Sequence, residues 1–114
     1  MPFINSKVSV EISKEQEENI KTKLGKAIAL IPGKSENWLM LGFEDKYSLY
    51  FKGVKEPKVA FVDVKIFQKA DSLAYEKLTQ AICNIFEEEL GIPGDKVYIT
   101  YEEISTWGYN GVNF

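Results

Sequence analysis

The chain has 114 residues and a mass of 13.0 kDa, so we expect one domain over residues 1–114. Its hydrophobic fraction of 45% and charged fraction of 27% are typical of a folded protein rather than a disordered segment. The 14 cationic side chains are all lysines, against 17 acidic residues. Because no arginine is present to make bidentate contacts with phosphates or guanine edges, nucleic acid is not expected as a partner.

The sequence also lacks histidine and contains one cysteine, Cys83. These absences exclude a Ser-His or Cys-His nucleophile pair, an internal disulfide and a histidine-ligated metal site. No metal or other cofactor is expected, and any proton transfer must use an amine, a carboxylate or a tyrosine. The N-terminal segment does not have the pattern of a signal peptide, and no apolar run is long enough to span a bilayer. We therefore expect a cytoplasmic protein without membrane association.

The first elements in chain order are a strand and a helix. Residues 2–10 predict a strand, and alternation would place on one of its faces Ile4, Ser6, Val8 and Val10. Ser13 and Gln16 have the spacing of a capping box, which predicts the start of a helix. Its buried stripe would consist of Ile20, Leu24, Ala27, Ile28 and Ile31. Pro32-Gly33 should end it.

The remaining elements follow the same order. Residues 38–43 predict a buried strand, and residues 47–51 predict a short edge strand. Residues 59–67 predict another strand, and Ser72 begins a second helix. Its buried side would carry Leu78, Ala81, Ile82, Ile85 and Phe86. Gly91 is placed for a left-handed cap at the end of this helix. A strand over 97–101 and an Asn-Gly turn signal at 110–111 complete the chain.

The two halves of the chain repeat the order strand, helix, helix stop, strand, with an offset of about 60 residues. Because a helical crossover makes its flanking strands parallel, we expect an α+β fold built from two tandem βαβ units with pseudo-twofold symmetry. These units would form one four-stranded mixed sheet with both helices on one face, plus short extra strands. The other face would carry uncovered valine, isoleucine and aromatic side chains, which predicts oligomerisation.

Four motifs occur together in this order: Met1-Pro2, Pro32-Gly33-Lys34, residues 91–99 (GIPGDKVYI) and residues 107–114 (WGYNGVNF). In combination, and over the whole chain, the sequence resembles the macrophage migration inhibitory factor family of the tautomerase superfamily. The resemblance implies a homotrimer whose three sheets surround a central channel. It also implies an isomerase, a keto–enol tautomerase that acts on aromatic 2-oxo acids such as phenylpyruvate. Some family members also act on dopachrome, and animal members are cytokines exported without a signal peptide.

Pro2 matches the family's catalytic proline, which becomes the N-terminal residue when the initiator methionine is removed. A terminal amine has an ordinary pKa of about 7.7–8.0, and burial lowers this pKa because it disfavours the cation. A neutral amine among aromatic side chains can take a proton from the carbon beside a carbonyl. Taken alone, a proline at this position would indicate only that methionine removal is permitted. A retained Met1 would acylate the Pro2 nitrogen and abolish its basicity.

Lys34 matches a family lysine that lies near the substrate carboxylate. The resemblance implies that its ammonium binds this carboxylate and stabilises the developing enolate. The alternative is a solvated lysine near a helix C-terminus, a position where lysines are generally favoured.

By resemblance, the other substrate-contacting residues would be Trp38, Ile66, Tyr98, Thr100, Trp107 and Tyr109. Ile66 would contribute both backbone and side chain, and Tyr98 would come from the neighbouring subunit. Each aromatic residue is also compatible with an ordinary core position. Thr100 stands where members often carry asparagine, and Phe51-Lys52-Gly53 replaces the family's Phe-Gly-Gly segment, so substrate detail should differ.

A second hypothesis belongs to a different functional class. The chain would then be a cytokine-type protein that binds a cell-surface receptor and keeps only a vestigial tautomerase pocket. Receptor binding leaves no recognisable motif, so the sequence does not decide against it. The combination of Pro2, Lys34 and the aromatic set favours the tautomerase.

Overall fold

The computed structural model describes residues 1–114 and contains two α-helices on one face of a four-stranded sheet. In chain order, the elements are β1 (Pro2–Val8), α1 (Lys14–Ala27), β2 (Met40–Glu44), β3 (Tyr50–Phe51), β4 (Val54–Lys55), β5 (Ala60–Phe67), α2 (Ser72–Leu90), β6 (Val97–Ile104), β7 (Gly108–Tyr109) and β8 (Val112–Asn113). The sheet order is β2-β1-β5-β6. The outer pairs β1–β2 and β5–β6 are parallel, and the central pair β1–β5 is antiparallel. The predicted pair of βαβ units in one mixed sheet is confirmed.

Both helices begin, and the second also ends, through local chemistry that the sequence displays. The first ends at Ala27 and continues as a 3-10 turn over Ile28–Leu30, before the predicted stop at Pro32-Gly33. The side chains of Ser13 and Gln16 form the reciprocal capping box at the start of α1. The second helix starts at Ser72 as predicted, but its capping side chain is Asp71, which accepts a hydrogen bond from the Ala74 N–H at 2.8 Å. It ends at Gly91 with φ of +67°, a conformation that glycine adopts without a Cβ penalty. Neither α-helix combines the length and apolar character that crossing a bilayer requires.

The hydrophobic core lies between the helices and one face of the sheet. The valines and isoleucines of β1 and β5 all face the helices: Ile4, Val8, Val62, Val64 and Ile66. They pack there with helix residues that include Ile20, Leu24, Leu78, Ile82 and Phe86. Because side chains alternate along a strand, the remaining residues of β1 and β5 face away from the helices.

The uncovered face of the sheet, which we call the open face, differs from the sequence-based expectation. No valine or isoleucine of β1 or β5 lies there, and ion pairs and hydrogen bonds cross its middle. The carboxylate of Asp63 lies 4.0 Å from the Lys7 ammonium and accepts a hydrogen bond from the Thr100 hydroxyl at 3.2 Å. Lys65 lies 3.2 Å from Glu102. The predicted aromatic side chains do lie on the open face, but the predicted valines and isoleucines of β1 and β5 do not: the aromatic residues there are Phe3, Phe61, Phe67 and Tyr98. The expected oligomerisation stays a prediction.

Two strand predictions in the first half need correction. The first strand ends at Val8 rather than at residue 10, because Val8 pairs with Ala60, where β5 begins. The apolar run 38–43 is not a buried strand. Trp38 lies in a short 3-10 helix, and β2 begins at Met40 on the edge of the sheet, where this methionine is 67% exposed.

Shorter elements also differ from the predicted ones in extent. The predicted strand 47–51 is only Tyr50–Phe51, which forms a hairpin with β4 around the positive-φ residues Lys52 and Gly53. In contrast, β6 extends to Ile104 rather than to residue 101, because it pairs along the whole of β5. The Asn-Gly turn at 110–111 is confirmed, with positive φ at both residues between β7 and β8.

Candidate functional site

A cavity of about 540 Å³ opens at the end of the sheet where β1 begins. We call this end of the sheet the Pro2 end. Four of the sequence-predicted residues line the cavity: Pro2, Trp38, Trp107 and Tyr109. Its lining also includes residues that were not predicted, among them Met1, Phe3, Met40 and Lys65. The structure therefore brings the predicted base and three predicted aromatic residues to one place.

The position of Pro2 follows from strand pairing. Strand β1 is an inner strand, so its first residue, Pro2, has a neighbouring strand beside it. This neighbour is β5, in which Ile66 lies opposite Pro2. Met1 extends this pairing, since its carbonyl accepts a hydrogen bond from the Phe67 N–H at 3.1 Å. Pro2 is buried. A terminal amine at this position would be partly removed from water.

Lys34 is held beside the N-terminus by a turn that follows α1. Its backbone N–H donates to the carbonyl of Ile31 at 3.0 Å, and Gly33 adopts the φ of +80° that this turn needs. The ammonium donates to the carbonyl of Phe67 at 2.9 Å, so this lysine is fixed rather than freely solvated. The Lys34 ammonium is not part of the cavity lining.

The N-terminal amine of Met1 has a perturbed acidity in this environment. Burial lowers the pKa of this amine below its usual value of 8.0, and repulsion from the Lys34 ammonium lowers it further. Both effects favour the neutral amine. The end of β1 is therefore an environment that favours the uncharged, basic form of an amine.

An aromatic wall built by the C-terminal tail closes one side of the cavity. The Tyr109 and Trp38 rings meet edge to face, with centroids 5.4 Å apart, and Tyr109 also stacks on Phe114. The tail is held in a loop because the Phe114 N–H donates to the Trp107 carbonyl at 2.9 Å. Trp38 is 54% exposed and Tyr109 is 49% exposed. Neither residue is an ordinary core residue.

Besides Lys34, three predicted residues do not line the cavity. Ile66 lies opposite Pro2, but its side chain is 1% exposed and belongs to the core, which leaves only its backbone close to the site. Tyr98 lies opposite Phe61, five residues along β5 from Ile66, which corresponds to roughly 17 Å of strand. Thr100 donates to Asp63 on the middle of the open face. Tyr98 and Thr100 of the same chain therefore do not take part in this cavity.

Residues missed by the sequence analysis lie in one cross-strand row. Met40, Phe3, Lys65 and Glu102 occupy matching register positions on the four neighbouring strands, next to the Pro2 position. This register arises from long-range pairing, which residue patterns do not reveal. The sequence contained a partial signal for Lys65. This residue directly precedes the predicted site residue Ile66, and adjacent residues of a strand face opposite sides of the sheet.

Comparisons with known proteins agree with the observed fold. A family model described as macrophage migration inhibitory factor (MIF) matches residues 1–114. No curated protein sequence matches the chain significantly. The crystal structure of Leishmania major MIF2 is 29% identical with a TM-score of 0.92, and the alignment covers 100% of this chain and 97% of that chain.

Two other solved structures extend the comparison. The macrophage migration inhibitory factor homologue of Prochlorococcus marinus is 28% identical with a TM-score of 0.88, and 98% of each chain is covered. Pt0534, crystallised after inactivation by 2-oxo-3-pentynoate, is 13% identical with a TM-score of 0.84. That alignment covers 96% of this chain and 93% of Pt0534, and at this identity it shows a shared fold.

Proposed function

This chain belongs to the macrophage migration inhibitory factor family, whose superfamily includes isomerases, and we propose that it is a keto–enol tautomerase of aromatic 2-oxo acids such as phenylpyruvate. The cavity at the Pro2 end carries this proposal, because it combines the start of β1, a nearby ammonium and an aromatic wall. Tautomerisation needs a base that moves one proton and a cation that stabilises the enolate. No specific observation favours the alternative of a receptor-binding protein with a vestigial pocket.

Pro2 acts as the general base once Met1 has been removed. Burial and the Lys34 ammonium, which lower the pKa of the Met1 amine, would act on a Pro2 amine one residue further into the sheet. The neutral nitrogen takes a proton from C3 of the 2-oxo acid. The C–H electron pair forms the C2–C3 double bond, and the carbonyl oxygen becomes the enolate oxygen. Protonated Pro2 then returns the proton to this oxygen, which gives the enol and restores the base.

Lys34 binds the carboxylate of the substrate and stabilises the enolate charge. One of its three N–H donors is used by the Phe67 carbonyl, which leaves two for the substrate. This existing hydrogen bond orients the ammonium toward the end of β1 before substrate arrives. Trp38, Trp107 and Tyr109 hold the phenyl ring and exclude water.

We also propose that the active form is a homotrimer in which Tyr98 and Thr100 of one copy complete the cavity of another. The separation of Tyr98 from Pro2 within one chain supports this arrangement, as does the trimer implied by the family resemblance. Light scattering at micromolar concentration should give the mass of three 13.0 kDa chains. A monomer or a dimer would contradict the proposed assembly.

The catalytic proposal is tested by intact mass followed by one activity measurement and one labelling measurement. Protein whose mass shows loss of Met1 should convert phenylpyruvate between enol and keto forms in an absorbance assay, and protein that keeps Met1 should not. The same protein should gain one adduct of 2-oxo-3-pentynoate, the compound that inactivates Pt0534. Peptide mapping should place this adduct on the Pro2 nitrogen, because a neutral amine adds to the activated alkyne. Inactivity of fully processed protein would refute the proposed function.

A further inference from the structure

We propose that Lys65 is a second anion-binding residue of the Pro2 cavity. It selects 2-oxo acids that carry another carboxylate at the end remote from the 2-oxo group. This assignment rests on the proposed function, because it takes a 2-oxo acid to be the ligand. It goes beyond that function by naming the part of the substrate that Lys65 recognises.

Strand register places Lys65 in the cavity. It lies directly opposite Phe3, and Phe3 in turn lies beside Met40, so the three side chains share the open face next to Pro2. All three residues line the cavity, and Lys65 is the one lysine in this lining. Lys65 therefore contributes its side chain to the open-face side of the cavity, and its ammonium must exchange Glu102 for a bound ligand there.

Lys34 and Lys65 occupy different parts of the site. The Lys34 ammonium bonds to the Phe67 carbonyl and perturbs the N-terminal amine, so it lies beside the end of β1 that carries the proposed base. The carboxylate of a 2-oxo acid is two bonds from the carbon that this base deprotonates, so we assign the carboxylate to Lys34. A ligand that extends from there past Phe3 meets Lys65 with its far end.

The ammonium of Lys65 is available for exchange. Its partner is Glu102, 3.2 Å away, and their side chains are 41% and 62% exposed, respectively. In the single chain, an ion pair with this exposure contributes little to stability, so a ligand carboxylate can replace Glu102 there at low cost. The other carboxylate nearby on the open face, Asp63, is already bound by Lys7 and Thr100. The alternative is that Lys65 serves only as a cross-strand partner of Glu102.

The cavity contains its own reporter for a binding experiment. The chain has two tryptophans, Trp38 and Trp107, and both line the cavity. Their fluorescence can be titrated with 2-oxopentanedioate and with 2-oxopentanoate, two ligands of equal chain length that differ by the terminal carboxylate. For protein that has lost Met1, we expect the dicarboxylate to bind roughly fivefold more tightly, near the upper limit for a partly exposed ion pair.

Three variants test the role of Lys65. Lys65→Met keeps the length of the side chain but removes its charge, and it should abolish the preference for the dicarboxylate. Glu102→Gln removes the internal competitor and should increase the preference. Lys7→Met is the matched control, because Lys7 also pairs with a carboxylate on the open face but does not line the cavity. Its preference should equal that of the wild type.

Several outcomes would overturn this assignment. They are equal binding of the two ligands by the wild type, no binding of either ligand, and an unchanged preference in Lys65→Met. If Lys65→Met does not fold, an unchanged preference in Glu102→Gln would overturn it as well. Because the titration does not need turnover, inactivity toward phenylpyruvate would contradict the proposed function alone.

Discussion

The two ends of the open face differ in how much of a site one chain provides. The Pro2 end has a cavity, a fixed lysine and an aromatic wall. At the other end, Tyr98 is 59% exposed and packs edge to face against Phe51, with centroids 5.3 Å apart. Strand β5 runs between these ends and fixes their separation. A site that uses residues from both ends therefore needs two copies of the chain, which gives the proposed trimer a reason that does not depend on an apolar face.

The largest effect is expected from Pro2→Gly. The base is a backbone nitrogen whose basicity and rigidity depend on the proline ring, so turnover of phenylpyruvate should fall by about 100-fold or more. The fold should be unaffected, because the change removes ring atoms only at the start of β1. Pro57→Gly, beside the start of β5 at the Tyr98 end, is the matched control and should retain activity. Wild-type turnover in Pro2→Gly, with Met1 confirmed absent, would show that the proline is not the base.

A smaller loss, roughly tenfold in kcat/KM, is expected from Tyr98→Ala because the cavity of the neighbouring copy loses an aromatic wall. Co-expression of the Tyr98→Ala and Pro2→Gly variants tests directly whether the two ends of the open face, taken from different copies, form one site. In mixed trimers, some sites combine an intact Pro2 with an intact Tyr98 from the next copy. Because the site lies between subunits, an intact Pro2 from half of the copies meets an intact Tyr98 from the other half at roughly a quarter of the sites. Random mixing should therefore restore up to roughly a quarter of the wild-type rate. If mixing restores nothing beyond the residual rates, Tyr98 does not act across a subunit boundary.

Lys34→Ala should raise KM for phenylpyruvate by roughly fivefold and lower kcat by less. The substrate carboxylate is charged in both the ground and transition states, so its anchor contributes mostly uniform binding. The effect should shrink at high salt if the site is partly screened. Lys26→Ala is the control, because Lys26 stands in the last turn of α1 as an ordinary helix-end lysine. Equal KM values for Lys34→Ala, Lys26→Ala and wild type would make Lys34 a structural residue.

The sequence predicted those parts of the fold that depend on local chemistry. The capping box at Ser13, the left-handed cap at Gly91 and the turn at 110–111 each need only neighbouring residues, and all three are confirmed. Alternation alone could have shown that the valines and isoleucines of β1 and β5 share one face. Residues 38–43 are different, because only the order of the strands in the folded sheet shows that they lie at its edge.

The candidate site was only partly predictable, because some of its residues come together only through pairing between distant segments of the chain. Pro2 and Trp107 entered through motifs close to the chain ends, and the structure places both in the cavity. Met40 and Lys65 reach it through pairing with Phe3 from distant parts of the chain. Neither residue belongs to a motif, so only the register of the folded sheet reveals them.

The pH dependence of kcat/KM for phenylpyruvate tests the role of Pro2 most directly, in protein whose mass confirms that Met1 is absent. The ammonium form cannot accept a proton, so activity should rise with pH as the amine loses its charge and then reach a plateau. Burial and Lys34, which lower the pKa of the Met1 amine, should also lower the pKa of a Pro2 amine, so the midpoint of this rise should lie below the pKa of an exposed N-terminal proline. Lys34→Ala should move the midpoint upward, because it removes the positive charge that disfavours the ammonium. A rate that does not change between about pH 5 and 9, where such an amine must titrate, would contradict a base at Pro2.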